Sequence, residues 1–450
     1  MSNALLGFPD VICKIPDLIQ RAYDLGLNGI AITEHEGISS HIKALDYYDK
    51  MEKNRPFTLA LGNEVYLLTE EEDNLNRQIP NTIPYYHFIL TALDTEGHHQ
   101  LRLLSTRAWL RAWRQGKMFR RPTYYSDLEE IVKPNQGHVI ASTACLGSRI
   151  DKLLLQEYND GRGMDKAFDE AMSLQNIFGQ GNFYLEIQPA KNANSDQSHV
   201  NTLMWELHKK TGIPIIPTTD SHYLRKEDAF IHKVYLQSQE GDREVDDFYA
   251  TAYLMDEAEL REHLLVDFSE AQIGQMFEWS CELGERIKGY NIKHNPIIPQ
   301  LPLEKIPDFT ISHVFSDYYD KYPNFGWYSN RPEIHEQYFF SQIEQGLQDK
   351  IVSKGKPIEQ YIARLDEEWK ELKIISEQLD TSMASYYSTM SEIIELIWQS
   401  GSLAMPARGS AAGFLTCYLL EVTQIDPVPL GDYMPSWRHL NHQRGVELPD

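Results

Sequence analysis

Apolar, β-branched runs alternate with helical patterns over about the first 290 residues. The segment KIPDLIQRAYDLGL has apolar residues at helical spacing, and Pro16 stands in the first turn, where a missing N–H costs nothing. NGIAITEHEG follows as a short apolar run that ends in polar residues, which predicts a strand. The same pattern, an apolar run that ends in or is followed by polar residues, recurs in FTLALGNEVYLL, YYHFILTAL, GHVIASTACLGS, NFYLEIQ and IPIIPTTDSHY. Strands that alternate with helices predict an α/β domain built on a mainly parallel sheet or barrel.

The pattern changes near residue 290. Residues 291–330 are rich in proline and aromatic residues and have little periodicity, which is typical of a connector. From Glu333 to about Leu379 the pattern is helical and strongly charged, as in IARLDEEWKELKIISEQL. We therefore expect a first domain over 1–290, a connector over 291–330 and a second domain over 331–450.

Composition indicates a soluble globular protein, with 42% hydrophobic and 24% charged residues among 450. No apolar run approaches the roughly 18 residues that span a bilayer, and no signal peptide pattern opens the chain. The four cysteines are far apart and form no CxxC pair, which favours a reducing compartment and hence a cytoplasmic location. They are Cys13, Cys145, Cys281 and Cys417.

The net charge of −24 opposes unaided binding to nucleic acid, because that affinity comes mostly from neutralising phosphates. One segment is locally basic, with stackable aromatic residues interleaved. It contains Arg102, Arg107, Arg111, Arg114, Lys117, Arg120 and Arg121, with Trp109, Trp113 and Phe119. It would suit a nucleic-acid strand. The alternative, which we favour slightly, is a solvated amphipathic helix whose tryptophans face the core.

Metal-binding residue types stand at the ends of successive predicted strands. They are Glu34, His35, Glu64, His87, Cys145, Asp220 and His222. Imidazole, thiolate and carboxylate are ligands for zinc or a similar divalent metal, and strand ends of an α/β fold meet at one edge. Asp220 and His222 are two residues apart, so on an extended strand both point to one face. Each residue alone is typical of a polar loop, but the series predicts a metal centre.

The segment MPARGSAAGF, residues 405–414, consists mainly of small residues and carries Arg408 as its only charge. FLTCYLL continues with helical spacing. A small-residue turn that opens a helix directs N–H groups at one point, where the helix dipole favours an anion, and an arginine can add a bidentate phosphate contact. Close helix packing through small residues explains the composition equally well, so the residues alone leave both interpretations open.

The motifs of the first domain resemble the polymerase and histidinol phosphatase (PHP) domain, in the version that opens bacterial C-family DNA polymerases. The similar stretches are IPDLIQRAYDLGLNGIAITEHEG, LGNEVYL, STACLGSRIDKLL and IPTTDSHYLRKEDA. The resemblance implies a distorted (β/α)7 barrel with up to three metals at its mouth. By motif, it assigns the metal ligands as His35, Glu64, His87, Cys145, Asp220 and His222. The usual opening strand with H-x-H is missing, and Glu34 replaces an aspartate, so weak or partial metal occupancy is expected.

MPARGSAAGF resembles the G-P-G-R-G-S-A-A-G-S palm signature of the same polymerases, the family of the DNA polymerase III alpha subunit. SWRHLNHQRGVELPD is similar to the segment that leads into their catalytic aspartates. The resemblance implies an incomplete α+β, nucleotidyltransferase-like palm after the connector. It assigns triphosphate contacts to Arg408, Gly409, Ser410 and Arg438, and a catalytic, Mg2+-binding role to Asp450. Phe414 replaces a small residue and alters the expected start of the helix.

The expected function is that of an N-terminal fragment of a DNA-directed DNA polymerase, which adds nucleotides by two-metal phosphoryl transfer in the full protein. The implied cofactors are Mg2+ at the palm and Zn2+ or another divalent metal at the PHP domain. The implied partners are primer–template DNA, dNTPs, the sliding clamp and other replisome subunits, without a membrane. The fragment alone is expected to be inactive. The competing hypotheses are a stand-alone PHP phosphoesterase and a structural module with a decayed metal site.

Overall fold

A computed structural model describes residues 11–116, 118–160, 163–240, 247–294 and 297–444. The chain forms two compact units, Met1–Lys293 and His294–Asp450. The first unit therefore ends three residues beyond the boundary expected at residue 290. Each unit has its own hydrophobic core and is described separately.

Nine strands are found in the described part of the first unit. They are β1 (Gly29–His35), β2 (Thr58–Leu68), β3 (Tyr86–Ala92), β4 (Trp113–Gln115), β5 (Met118–Arg120), β6 (Pro122–Tyr124), β7 (Val139–Ser142), β8 (Phe183–Ile187) and β9 (Ile215–Pro217). Strands β4 and β5 form a small separate hairpin, and the other seven form one curled sheet.

The main sheet has the order β1-β2-β3-β7-β8-β9, and β6 lies beside β2. Strand pairs β1–β2, β2–β6, β7–β8 and β8–β9 are parallel, whereas β3 runs antiparallel to both β2 and β7. The expected mainly parallel α/β sheet is confirmed in outline, and the curled sheet is consistent with a PHP-type fold. The reversed β3 was not predicted, because an apolar run carries no information about strand direction.

Eleven helices occur in the described residues of the first unit. They are α1 (Ile15–Asp24), α2 (His41–Lys50), α3 (Glu70–Gln78), α4 (Thr95–Leu110), α5 (Tyr125–Ile131), α6 (Arg149–Asp160), α7 (Gly163–Phe178), α8 (Asp196–Thr211), α9 (Ala229–Glu240), α10 (Glu257–Leu264) and α11 (Glu270–Glu285). In α1 the predicted pattern buries Ile19 and Ala22, and proline stands in the first turn. Across all described ranges, no helix combines the length and apolarity needed to cross a membrane.

The described part of the second unit is helical. Its helices are α12 (Pro323–Ser329), α13 (Ile334–Leu347), α14 (Ile358–Leu379), α15 (Ala384–Gln399) and α16 (Leu415–Leu419). No strand occurs between residues 297 and 444, so the strands of the expected α+β palm are not seen there. The core is centred on Trp369, which is fully buried and packs against Phe325, Tyr328 and Phe339.

Residues 291–330, interpreted from the sequence as a connector, contribute to this second core. Phe315, Phe325 and Tyr328 are buried in it, and α12 packs on α14. Asp366 on α14 accepts hydrogen bonds from the backbone N–H groups of Asn324 and Phe325, at 2.7 and 3.1 Å. The many aromatic residues that disguised the periodicity of this segment are therefore core residues rather than linker residues.

The first unit also buries a histidine pair. His41 Nδ1 lies 3.0 Å from His98 Nε2, and His41 Nε2 lies 2.9 Å from the carbonyl oxygen of Gly62. Because Nε2 of His41 must donate to that carbonyl, its Nδ1 accepts from His98 Nε2, which requires the His41 ring to be neutral. Burial lowers the pKa of His41 and of His98 to about 4.

We expect this pair to make the first unit acid-sensitive. Unfolded histidines titrate near pH 6.5 but the folded pair only near pH 4, so stability falls as the pH drops between these values. The slope is at most about 1.4 kcal/mol per pH unit for each histidine. Urea unfolding at pH 7 and pH 5 measures it, and the double variant His41→Gln, His98→Gln should flatten the dependence. An unchanged slope would contradict the assignment.

Candidate metal centre and candidate phosphate-binding segment

Strand register brings three of the predicted ligands together. His35 at the end of β1 lies opposite Glu64 on β2, and His87 on β3 lies opposite Tyr66, two residues along β2 from Glu64. Residues two apart on a strand share a face, so all three side chains point the same way. His87 Nδ1 is 2.6 Å from one Glu64 oxygen, and His35 Nε2 is 3.6 Å from the other. One ligand atom from each residue lies within 4.8 Å of the others.

Glu64 carries the negative charge of this trio. The side chain is buried, which raises its pKa, but the neighbouring His35 and the hydrogen bond from His87 outweigh burial and hold the pKa of Glu64 below its usual value. A buried ionised carboxylate between two imidazoles fits a divalent cation, since all three groups can present lone pairs to it. The donor set is therefore compatible with zinc or a similar metal.

The other predicted ligands lie close to this trio. A cavity of about 1270 Å³ is lined by Glu34, His35, Glu64, Cys145, Asp220 and His222, among other residues. Cys145 Sγ lies 3.6 Å from His87 Nδ1. Burial, and then the charges of Asp220 and Glu64, raise the pKa of the Cys145 thiol. The Cys145 thiol therefore lies beside the carboxylates of Asp220 and Glu64.

Asp220 and His222 are near each other, but not for the predicted reason. Strand β9 ends at Pro217, and Asp220 adopts a left-handed backbone with a φ of 44°. His222 Nδ1 lies 2.7 Å from the backbone oxygen of Asp220 and 3.8 Å from its carboxylate. A turn, rather than strand alternation, brings the two side chains together. Burial raises the pKa of Asp220, and the nearby Glu64 charge acts in the same direction.

Sequence reasoning missed Glu186 on β8, which also lines the cavity. Thr218 Oγ1 donates to it at 2.7 Å, and Ser142 Oγ donates to its other oxygen. Burial raises the pKa of Glu186 to about 7. A signal was present in NFYLEIQ, because a lone glutamate inside a fully buried strand is rare unless it has partners.

The basic segment differs from the interpretation we favoured. Helix α4 ends at Leu110, and the segment continues into the β4–β5 hairpin. Trp109 does not face the core: it is 45% exposed, and its indole N–H donates to the backbone oxygen of Glu36. Three of the cations pair with carboxylates, namely Arg107 and Arg111 with Asp127, and Arg121 with Glu36. Much of the apparent positive charge is therefore neutralised.

In the second unit, MPARGSAAGF forms a compact turn. Gly409–Gly413 is a 3-10 turn in which Gly409 has a φ of 64°, a conformation that favours glycine. Gly413 packs closely against the backbone at Met434 and Pro435. Phe414 is fully buried and stacks on Tyr387, so this departure from the family signature fills the core.

The start of helix α16 is already capped by a carboxylate. Glu368 on α14 is fully buried and accepts hydrogen bonds from the N–H groups of Leu415 and Thr416, at 2.7 and 3.0 Å. Thr416 Oγ1 donates to it at 2.9 Å. These two N–H groups are therefore occupied and do not contribute to the anion site that remains a prediction for this segment. Any phosphate contact must come from the turn and from the arginines.

Arg364 on α14 joins the two segments that carry the predicted triphosphate residues. Its Nε donates to Glu368 at 3.0 Å, and its Nη2 donates to the carbonyl oxygens of Gly413 and Met434, at 2.7 and 2.9 Å. The turn that follows Met434 contains Arg438. The two segments are therefore fixed against the same helix.

The predicted triphosphate residues lie near this junction. Ser410 Oγ is 3.1 Å from Nδ1 of His439, the residue after Arg438. Arg408 and Arg438 are both solvent-exposed, and neither forms an ion pair with a described residue. The structure thus brings Ser410 close to the Arg438 segment, with Gly409 beside it. Asp450 lies outside the described residues.

Comparison with known proteins gives two family matches and a set of relatives. Residues 7–190 match the PHP domain, and residues 337–450 match the bacterial DNA polymerase III alpha NTPase domain. A probable DNA polymerase of Bacillus subtilis, YorL, is 35% identical, with 97% of this chain and 34% of the relative covered. DNA polymerase III subunit alpha of Helicobacter pylori is 27% identical, with 97% of this chain and 33% of the relative covered. The same subunit of Thermus aquaticus is 25% identical, with 94% of this chain and 35% of the relative covered. The chain spans about a third of the length of these relatives.

Proposed function

Since the chain belongs with the bacterial C-family DNA polymerases and spans about a third of their length, we propose that the protein acts in template-directed DNA synthesis. In this reaction a primer 3′ hydroxyl attacks the α-phosphate of a dNTP, and pyrophosphate leaves. The proposed substrates are primer–template DNA and dNTPs. The proposed partners of the whole protein are the sliding clamp and other replisome subunits, and the proposed location is the cytoplasm.

One observation carries this proposal: the turn with Arg408, Gly409 and Ser410 and the segment with Arg438 are held against the same helix by Arg364. The two exposed guanidinium groups can bind triphosphate oxygens, which suit their planar, bidentate geometry. Asp450 is proposed to bind Mg2+. When bound, the magnesium ions would neutralise charge on the reacting phosphate.

We propose a second role for the first unit as a divalent metal centre, with Zn2+ as the candidate ion. His35, Glu64 and His87 would hold the metal, and Cys145, Asp220 and His222 would complete or extend the site. When bound, such a metal can activate water for attack on a phosphoester. The geometry of the trio therefore favours the phosphoesterase hypothesis as a second candidate function over a decayed structural site.

Primer extension by the protein at its full natural length tests the polymerase proposal. Arg408→Gln should raise the KM for dNTP about tenfold, the effect of losing one charge-assisted hydrogen bond. Lys370→Gln serves as the matched control, because it removes an exposed positive charge from α14. Equal KM values for the two variants would contradict the triphosphate assignment. Absence of extension together with metal-dependent ester hydrolysis would favour the phosphoesterase.

A further inference from the structure

Arg120 forms no ion pair with a described carboxylate, unlike three of the other arginines in the basic segment. Those three are Arg107, Arg111 and Arg121. Its Nε donates to Gln115 Oε1 at 2.7 Å, and neither terminal nitrogen has a hydrogen-bond partner among the described residues. Two guanidinium nitrogens are therefore available for an anion.

Aromatic stacking fixes the direction of this group. The Arg120 guanidinium carbon lies 4.3 Å from the ring centre of Tyr85 and 5.9 Å from that of Tyr66. A guanidinium that lies over an aromatic face can keep its N–H groups directed outward in its own plane, away from the ring. Because part of the side-chain entropy is already lost, binding an anion there costs less than binding it to a mobile surface arginine.

The aromatic rings connect Arg120 to the candidate metal centre. Tyr66 contacts Tyr85 with ring centres 5.6 Å apart, and it contacts His87 at 5.1 Å and His35 at 5.9 Å. Arg120 thus lies one tyrosine ring away from two of the three candidate ligands. In a protein with a net charge of −24, Arg120 places a positive charge near the candidate metal centre.

We propose that Arg120, supported by Tyr85 and Tyr66, is a phosphate-binding subsite beside the metal centre. The subsite binds a phosphate group of a ligand whose neighbouring phosphoryl group reaches the metal. This inference rests on the proposed metal role of the first unit and is independent of DNA synthesis. The shared ligand chemistry is a phosphate ester with two neighbouring phosphoryl groups, supplied either by a compact ester that carries both groups or by a phosphodiester chain with two consecutive phosphates.

Binding to the chain, measured by calorimetry, tests this subsite. The probes are inorganic phosphate and a 5′-phosphorylated dithymidylate, each with and without Mn2+. We expect Arg120→Gln to weaken binding of the dinucleotide about tenfold. Arg120→Lys should recover part of this loss, because it keeps the charge but not the planar fork. The matched control is Arg114→Gln on the same hairpin, where the arginine is exposed and bonded to the carbonyl oxygen of Gly116.

The outcomes separate the possible ligands and the possible failures. A loss confined to the dinucleotide supports a phosphodiester chain, and an equal loss for inorganic phosphate supports a compact ester. Equal affinities for Arg120→Gln and Arg114→Gln would overturn the subsite. Mn2+ affinity, titrated separately, should be the same in both variants. If no variant binds Mn2+, the proposed metal role fails, while the metal-free titrations still decide the role of Arg120.

Discussion

Replacing Glu368 with alanine is expected to lower the free energy of unfolding of the second unit by about 3–5 kcal/mol, the range for breaking a buried ion pair. The carboxylate is fully buried and has four hydrogen-bond donors. Its removal leaves the Arg364 guanidinium without its counter-charge and leaves the N–H groups of Leu415 and Thr416 unpaired. Unpaired buried donors cost more than the hydrogen bonds themselves contribute.

The measurement is hydrogen exchange at the two N–H groups, combined with urea unfolding. Hydrogen exchange isolates the second unit, whereas a whole-chain transition mixes two units and need not be two-state. Glu371→Ala is the matched control on the same helix. Its carboxylate accepts from His442 but is partly exposed, so it should cost under about 1.5 kcal/mol. Equal effects in the two variants would contradict the stabilising role of the buried Glu368 contacts with Arg364, Leu415 and Thr416.

A second substitution at Glu368 tests the candidate phosphate segment. Glu368 and Arg364 touch no predicted triphosphate residue, so any effect on nucleotide binding must act through the positions of the turn and of the Arg438 segment. Glu368→Gln keeps the shape and loses the charge. In the full-length protein it should raise the KM for dNTP more than it lowers kcat, because it disturbs binding geometry before chemistry.

The sequence predicted the metal trio because local pattern decided the relevant geometry. His35 is the last residue of β1, Glu64 lies inside β2 and His87 is the second residue of β3, and the register of the paired strands brings the three side chains together. The reversed direction of β3 did not disturb the result, since its register still sets His87 beside Glu64. The turn at Asp220 was not predictable, because a non-glycine residue in left-handed backbone is imposed by its surroundings.

The buried contacts that Glu368 makes with the candidate phosphate-binding segment could not be predicted from the sequence. Glu368 lies 47 residues before Leu415, within a charged helical pattern that contains five other acidic residues between Glu359 and Glu377. Nothing in the periodicity distinguishes a buried capping carboxylate from a solvated one, since partners decide burial. The charge of the basic segment was misjudged for the same reason, because the carboxylates that pair with its arginines lie outside the segment. The family resemblance was confirmed because it rests on ordered motifs rather than on such contacts.

Glu64→Gln is expected to weaken divalent metal binding by about a thousandfold, which corresponds to about 4 kcal/mol. Glu64 is the only carboxylate of the trio and lies within 3.6 Å of both imidazoles, and its ionised form supplies the charge that a cation needs. A neutral amide keeps the size of the side chain and can still bond to His87. The metal-free variant should therefore fold normally, so the loss reports on the metal alone.

The titration uses Zn2+ and Mn2+ with the chain, and thermal unfolding provides a second readout. A metal at a hundred times its dissociation constant stabilises the native state by about 2.7 kcal/mol, and this shift should disappear in Glu64→Gln. Glu186→Gln is the matched control in the same cavity, because both Glu186 oxygens already accept from hydroxyls and its loss should change affinity less than tenfold. If Glu186→Gln removes the metal and Glu64→Gln does not, the ligand set is centred on β8 rather than on the trio.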